Sequence, residues 1–193
     1  MPTFNVGETS EYEISWKSNR LASVIQQNGN LQRIQIREWN GGNYAVTHQI
    51  DVQGKEVEGF DLSPDGTKLI ISTQHINEPQ FDLWLWDIGS GISNFTNSSN
   101  LSEMNPRWSP NGTIIAFDHN GTSIYTISSD GNSVNQITTD GISSNRQEWS
   151  PDGQNIVYVQ SGNNDQICTI SSTGTNKNCL NVFGDHPTWI PNP

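Results

Sequence analysis

One bend recurs along this chain at a nearly fixed interval, and it limits the fold more than any other feature. Phe60-Asp61-Leu62-Ser63-Pro64-Asp65-Gly66 runs into Lys68-Leu69-Ile70-Ile71. Trp108-Ser109-Pro110-Asn111-Gly112 runs into Thr113 to Phe117, and Trp149-Ser150-Pro151-Asp152-Gly153 into Asn155 to Val159. A degenerate copy, Trp16 to Arg20, precedes Leu21 to Ile25, and a fifth begins at Trp189-Ile190-Pro191-Asn192-Pro193. The steps are 46, 46, 41 and 40 residues, the length of a four-stranded propeller blade. Pro presets φ at the first corner position, Asp or Asn bonds its own backbone, and Gly supplies positive φ. The Trp beside the bend falls on the innermost strand, where a large flat ring fills the wedge between sheets.

The second half of each unit repeats as well. Leu83 to Gly91, Ile124 to Asn132 and Ile167 to Thr175 align as a third strand and a tight turn. Short fourth strands follow at 93–95, 134–138 and 178–182, and Arg33 to Arg37 is the third strand of the first unit. Alternating apolar residues between turn signals predict antiparallel hairpins, and no segment has helical periodicity. The expectation is an all-β protein, a β-propeller or partial propeller. It has about four four-stranded antiparallel blades plus one extra inner strand at the C-terminus. A single domain spans 1–193, with repeats near 10–55, 56–100, 101–140 and 141–183 and the start of a fifth at 184–193.

These bends and their spacing resemble the TolB-type, WD-like propeller repeat family, from about Tyr12 to Pro193. The resemblance implies blades arranged in a ring around a central channel. It also implies a choice of roles, since members include periplasmic and cell-surface proteins that bind other proteins, and some hydrolases and lyases carry such propellers. Fold alone does not select among these. Rings of this type usually have six blades, whereas four full repeats are present here. Three arrangements account for the count: a piece of a larger propeller, a terminal strand that replaces Tyr12–Trp16 in the first blade, or a terminal strand that pairs with another molecule. Unpaired sheet edges invite such pairing.

Composition narrows the partners. The formal net charge is −11, from 20 acidic and 9 basic residues, and the basic residues are scattered, so nucleic acid is not an expected partner. An acidic surface is repelled by anionic lipid, and no run approaches the length of a membrane helix. The N-terminus, Met1 to Gly7, lacks a basic start followed by an apolar stretch, so it is not read as an intact leader.

Cys168 and Cys179 are the two cysteines, on the third and fourth strands of the last full repeat. A two-residue turn at Thr173-Gly174 places them opposite each other, within disulfide reach. The aligned positions in the preceding repeat, Tyr125 and Gln136, need no cysteine, which favours a bridge over two buried thiols. A bridge points to an oxidising compartment, hence a periplasmic, surface or secreted protein.

No nucleophile elbow, phosphate loop, C-x-x-C or metal spacing occurs, so the chain reads as non-catalytic and no cofactor or metal is expected. Asp65, Asn111 and Asp152 are explained as corner formers. The longer loops lie opposite the corners, and His75, Arg107, His119, Arg146 and His186 are the expected polar residues at the channel mouth, with Arg107 and Arg146 in near-equivalent positions. Pairing of these arginines with Glu103 or Glu148 is the competing structural role. The favoured function is an extracytoplasmic protein-binding or assembly module. It would use the loop face or the edge strand Asp185–Ile190, toward a protein partner or a second copy. The alternative is a small-ligand, carbohydrate or enzymatic site at the channel mouth.

Overall fold

The computed structural model describes residues 11–26, 32–52, 56–74, 79–98, 101–140, 144–162 and 165–190, with side chains from Ser15 onward and without that of Ser144. The first sheet holds β1 (Glu11–Lys17), β2 (Arg20–Gln26), β3 (Gln32–Trp39) and β4 (Tyr44–Val52). The second holds β5 (Val57–Leu62), β6 (Lys68–Gln74), β7 (Phe81–Asp87) and β8 (Gly91–Asn94). The third holds β9 (Glu103–Trp108), β10 (Ile114–His119), β11 (Ser123–Ser128) and β12 (Val134–Gln136). The fourth holds β13 (Ser144–Trp149), β14 (Asn155–Gln160), β15 (Gln166–Ser171) and β16 (Asn178–Phe183). Each sheet is a four-stranded meander in chain order, antiparallel throughout, as the repeat predicts. β1, β5, β9 and β13 are the inner strands, and consecutive ones pack on each other. The fourth strands are largely exposed.

The corner is a small hydrogen-bonded machine in which serine has a part that Pro, Asp and Gly alone do not explain. The Ser63 hydroxyl donates to Asp65 Oδ1 at 2.6 Å and accepts the Lys68 amide at 2.9 Å. Asp65 Oδ1 also accepts the Thr67 amide at 2.9 Å. The same bonds recur at Ser109–Asn111–Ile114 and Ser150–Asp152–Asn155. The glycines that follow sit at φ 72°, 72° and 70°, where a Cβ is disfavoured.

The core lies between sheets. Leu62 joins Ala22, Val24, Ile34 and Ile36; Trp108 joins Ile70 and Leu83; Trp149 joins Ala116, Ile124 and Ile137. Each residue beside a corner is therefore buried against the sheet that precedes it. Trp16, which has no preceding sheet among the described residues, is 63% exposed, against 4% for Trp108 and 5% for Trp149.

Two expectations change. The C-terminal segment does not replace the inner strand of the first blade: β1 holds that place, paired with β2. Nor does Asp185–Ile190 form a strand, because no neighbouring strand gives it a ladder among the described residues. It lies instead on the fourth sheet, with Trp189 against Val157, Val159 and Ile167.

Candidate functional site

The residue one place before each corner aromatic or leucine is polar: Ser15, Asp61, Arg107 and Glu148. Because the inner strands converge, these four positions meet. With Trp16, Lys17 and Phe60 they line a cleft of about 190 Å³. These residues close their strands, so the cleft is at the corner end of the array, away from the longer loops.

Asp61 links three blades. Its Oδ1 accepts the Ser15 hydroxyl at 2.7 Å, and its Oδ2 accepts the Trp108 backbone N–H at 2.9 Å. Ser15 Oγ in turn accepts the Leu62 amide at 3.0 Å. Burial pushes the Asp61 carboxyl above the usual carboxylate range, opposed by Lys17, whose Nζ is 4.0 Å away, and by the Ser15 and Trp108 hydrogen bonds. Arg107 Nε lies 3.7 Å from Glu148 Oε2, and burial raises the Glu148 carboxyl against the pull of that guanidinium. Lys17, Asp61, Arg107 and Glu148 thus set two cations and two carboxylates around one opening. Such an arrangement can hold a group carrying both signs of charge. The sequence signal was available in the polar residue that precedes each corner aromatic, but reading Asp61 and Glu148 as site residues needs the strands to converge first.

The anticipated mouth residues that are described do not all gather in one place. Arg107 stands in the cleft with Glu148, while Glu103 accepts from the Thr96 hydroxyl at 2.5 Å. Arg107 and Arg146 are not equivalent: Arg107 precedes its Trp by one residue, Arg146 by three. Arg146 sits at a backbone bulge with φ 54°, matched by Asn105 at 51°. Its Nη1 donates to the Asp185 carbonyl at 2.8 Å and lies 3.3 Å from Asp185 Oδ2. His186 Nδ1 lies 3.1 Å from Asp185 Oδ1, and the hydrogen bond from His186, with the Arg146 guanidinium adding a smaller pull, holds that carboxyl below the usual range. Arg146 and His186 therefore share Asp185 and fasten the terminal segment. His119 ends β10 with its ring 4.8 Å from that of Tyr125; burial lowers its pKa against the opposing charge of Asp118. His75 lies outside the described residues. No group of three or more His, Cys, Asp or Glu among the described residues is placed to hold a metal ion.

Trp189 completes the terminal contact. Its Nε1 donates to the Glu148 carbonyl at 3.2 Å, as Trp149 Nε1 donates to the Arg107 carbonyl at 3.0 Å. The segment reproduces one blade-to-blade bond without a blade of its own. On the other face of the fourth sheet, against the third, Cys168 and Cys179 pair across β15 and β16 and form a disulfide, as their midpoint in the sequence predicts.

Comparison with known proteins places this geometry. The family described as the TolB beta propeller domain matches residues 15–193. An uncharacterized peptidase of Bacillus subtilis, YuxL, is 28% identical over 107 residues, which is 51% of this chain and 16% of that protein. Among solved structures, TolB from Acinetobacter baumannii has a TM-score of 0.70 at 22% identity, over 89% of this chain and 43% of that one. A putative TolB from Agrobacterium tumefaciens has a TM-score of 0.68 at 23% identity, over 87% and 63%. An oligogalacturonate lyase in complex with manganese has a TM-score of 0.62 at 17% identity, over 82% and 50%. The chain thus spans less than two thirds of the length of each of these relatives.

Proposed function

The chain belongs to the TolB β-propeller domain family, and from that premise we propose that it is a non-catalytic protein-binding or assembly module working outside the cytoplasm. The observation that carries this reading is the terminal segment. Trp189 occupies the slot that a following blade would use, yet its backbone has no ladder to another strand among the described residues. A segment held at the place of an inner strand, with no sheet partner among the described residues, offers its backbone for strand addition by another polypeptide. The Cys168–Cys179 bridge supports an oxidising location. Deleting residues 185–193 and measuring molar mass by light scattering, together with partner capture, tests the reading. Loss of assembly or capture is expected; a deletion that changes neither overturns it.

A second reading rests on the cleft. Lys17, Asp61, Arg107 and Glu148 converge there, which suits a small ligand with both charge signs, and Arg146, His75, His119 and His186 remain candidates for a loop-side site. A thermal-shift screen with amino acids and short oligosaccharides tests it. A stabilising ligand should lose at least tenfold in affinity in Arg107→Gln if it sits in the cleft; a ligand indifferent to that change does not bind there.

A further inference from the structure

The three complete corners each place Asp or Asn directly before Gly. In such a pair the glycine amide nitrogen can attack the side-chain carbonyl carbon and close a five-membered imide. Three Asn-Gly and three Asp-Gly pairs lie among the described residues, and five of the six keep the glycine amide occupied. Gly66, Gly112 and Gly153 donate to the Ser63, Ser109 and Ser150 carbonyls at 2.8, 2.9 and 2.8 Å. Gly131 donates to the Ser128 carbonyl at 2.8 Å, and Gly121 to Asp118 Oδ1 at 3.2 Å. An amide hydrogen given to an acceptor must be released before its nitrogen can attack, so these bonds guard the pairs that the repeat requires.

The turn between β3 and β4, Asn40-Gly41-Gly42-Asn43, departs from this. The Gly41 N–H donates to no acceptor among the described residues. The Asn40 side chain is held much as the other two asparagines are. Its Oδ1 accepts the Gly42 and Asn43 amides at 3.1 and 3.0 Å, while Asn111 Oδ1 accepts the Thr113 amide at 3.1 Å and Asn120 Oδ1 the Ser102 amide at 2.8 Å. Such donors draw electron density from the carboxamide carbon in all three, as in an oxyanion hole. The difference therefore falls on the glycine nitrogen. A Cβ on Gly41 would meet nothing within 4 Å, so no neighbour obstructs ring closure, and two successive glycines leave the backbone free to bend onto the side chain. Residues 40–43 are exposed. The equivalent turn of the second sheet, 89–91, is exposed too although a sheet precedes it, so exposure belongs to the outer hairpin.

We infer that Asn40 is a site of spontaneous modification, the described Asn-Gly pair that the fold leaves open to deamidation. The Gly41 nitrogen loses its proton and bonds to Asn40 Cγ, and the carboxamide nitrogen leaves as ammonia. Water then opens the imide at either carbonyl, giving aspartate or the β-linked isoaspartate at position 40. The product carries a new carboxylate, and the β-linked form adds one backbone atom to the turn. Trp39 and Tyr44 flank that turn with ring centroids 5.3 Å apart, and the Trp39 N–H donates to the Asn19 carbonyl at 3.2 Å. The change therefore falls on a hairpin tied to the first corner.

The test holds the intact chain in mildly alkaline buffer and maps its peptides over time by mass spectrometry with electron-transfer fragmentation, which separates aspartate from isoaspartate. Conversion at Asn40 should run about tenfold faster than at Asn111 or Asn120, the rate equivalent of the one hydrogen bond that ties Gly112 and Gly121. In guanidinium chloride, where those bonds are lost, the three rates should draw together. Isoaspartate at position 40, formed ahead of the other two sites only in the folded chain, supports the inference. Equal rates at the three sites in the folded chain overturn it. A lead for Asn40 that persists unchanged in the unfolded chain overturns it as well, because the selectivity then comes from neighbouring residues and not from the fold.

Discussion

The backbone N–H of Trp108 donates to the side chain of Asp61 at 2.9 Å, so a carboxylate on one blade holds the inner strand of the next. The same carboxylate reaches back to Ser15 at 2.7 Å, and one side chain thereby spans three of the four sheets. The arrangement puts an acid in a buried place where ionisation is disfavoured, which gives the protein a measurable pH response.

Burial raises the Asp61 carboxyl above its ordinary value, and Glu103 and Asp118 are raised by burial too. A carboxyl with a raised folded-state pKa contributes stability that is fully present below the unfolded value and is lost as pH rises through the folded one. Asp61→Asn removes one such group. Denaturation at several pH values should show the variant gaining on the parent protein as pH rises from about 4 to 7. Parallel curves would show that Asp61 is not the group responsible.

Trp149 and Trp108 are equivalent in sequence but not in bonding. Trp149 Nε1 donates to the Arg107 carbonyl at 3.0 Å, while Trp108 Nε1 finds no partner among the described residues. Trp149→Phe should cost about 1 kcal/mol more than Trp108→Phe, the net worth of one hydrogen bond. Chemical denaturation of the two variants measures this, and equal losses would contradict it.

The Cys168–Cys179 bridge closes a loop with a sequence separation of 11, for which chain entropy gives a stabilisation of about 3 kcal/mol. Reduction should lower the unfolding midpoint accordingly and speed amide exchange in β16, the strand it ties down. A Cys168→Ala, Cys179→Ala double variant should start at the lower midpoint and ignore reductant.

Gly59 is set by packing between inner strands. A Cβ there would lie 3.3 Å from Asn105 Cα and 3.5 Å from Pro106 Cδ, both on β9. Gly59→Ala should destabilise by roughly 1–3 kcal/mol through overpacking, because the atoms that would have to give way are the backbone of Asn105 and the ring of Pro106. Gly42→Ala, in the open β3–β4 turn where the nearest atom is the Asn40 side chain at 3.8 Å, is the control and should change little.

Local chemistry was legible in the chain itself. The serine, proline, Asp or Asn and glycine of each bend make their bonds within five residues, so their spacing announces the corners, the meanders and the blade period. The facing of Cys168 and Cys179 across a hairpin is local in the same way, a matter of counting from the turn. The convergence of Ser15, Asp61, Arg107 and Glu148 was not legible, because those positions lie 41 to 46 residues apart and meet only when successive sheets stack. The different partners of Arg107 and Arg146 follow from the same cause. Short-range hydrogen bonding dictates each blade from its own residues, whereas the surface a blade leaves open depends on which sheet lies against it.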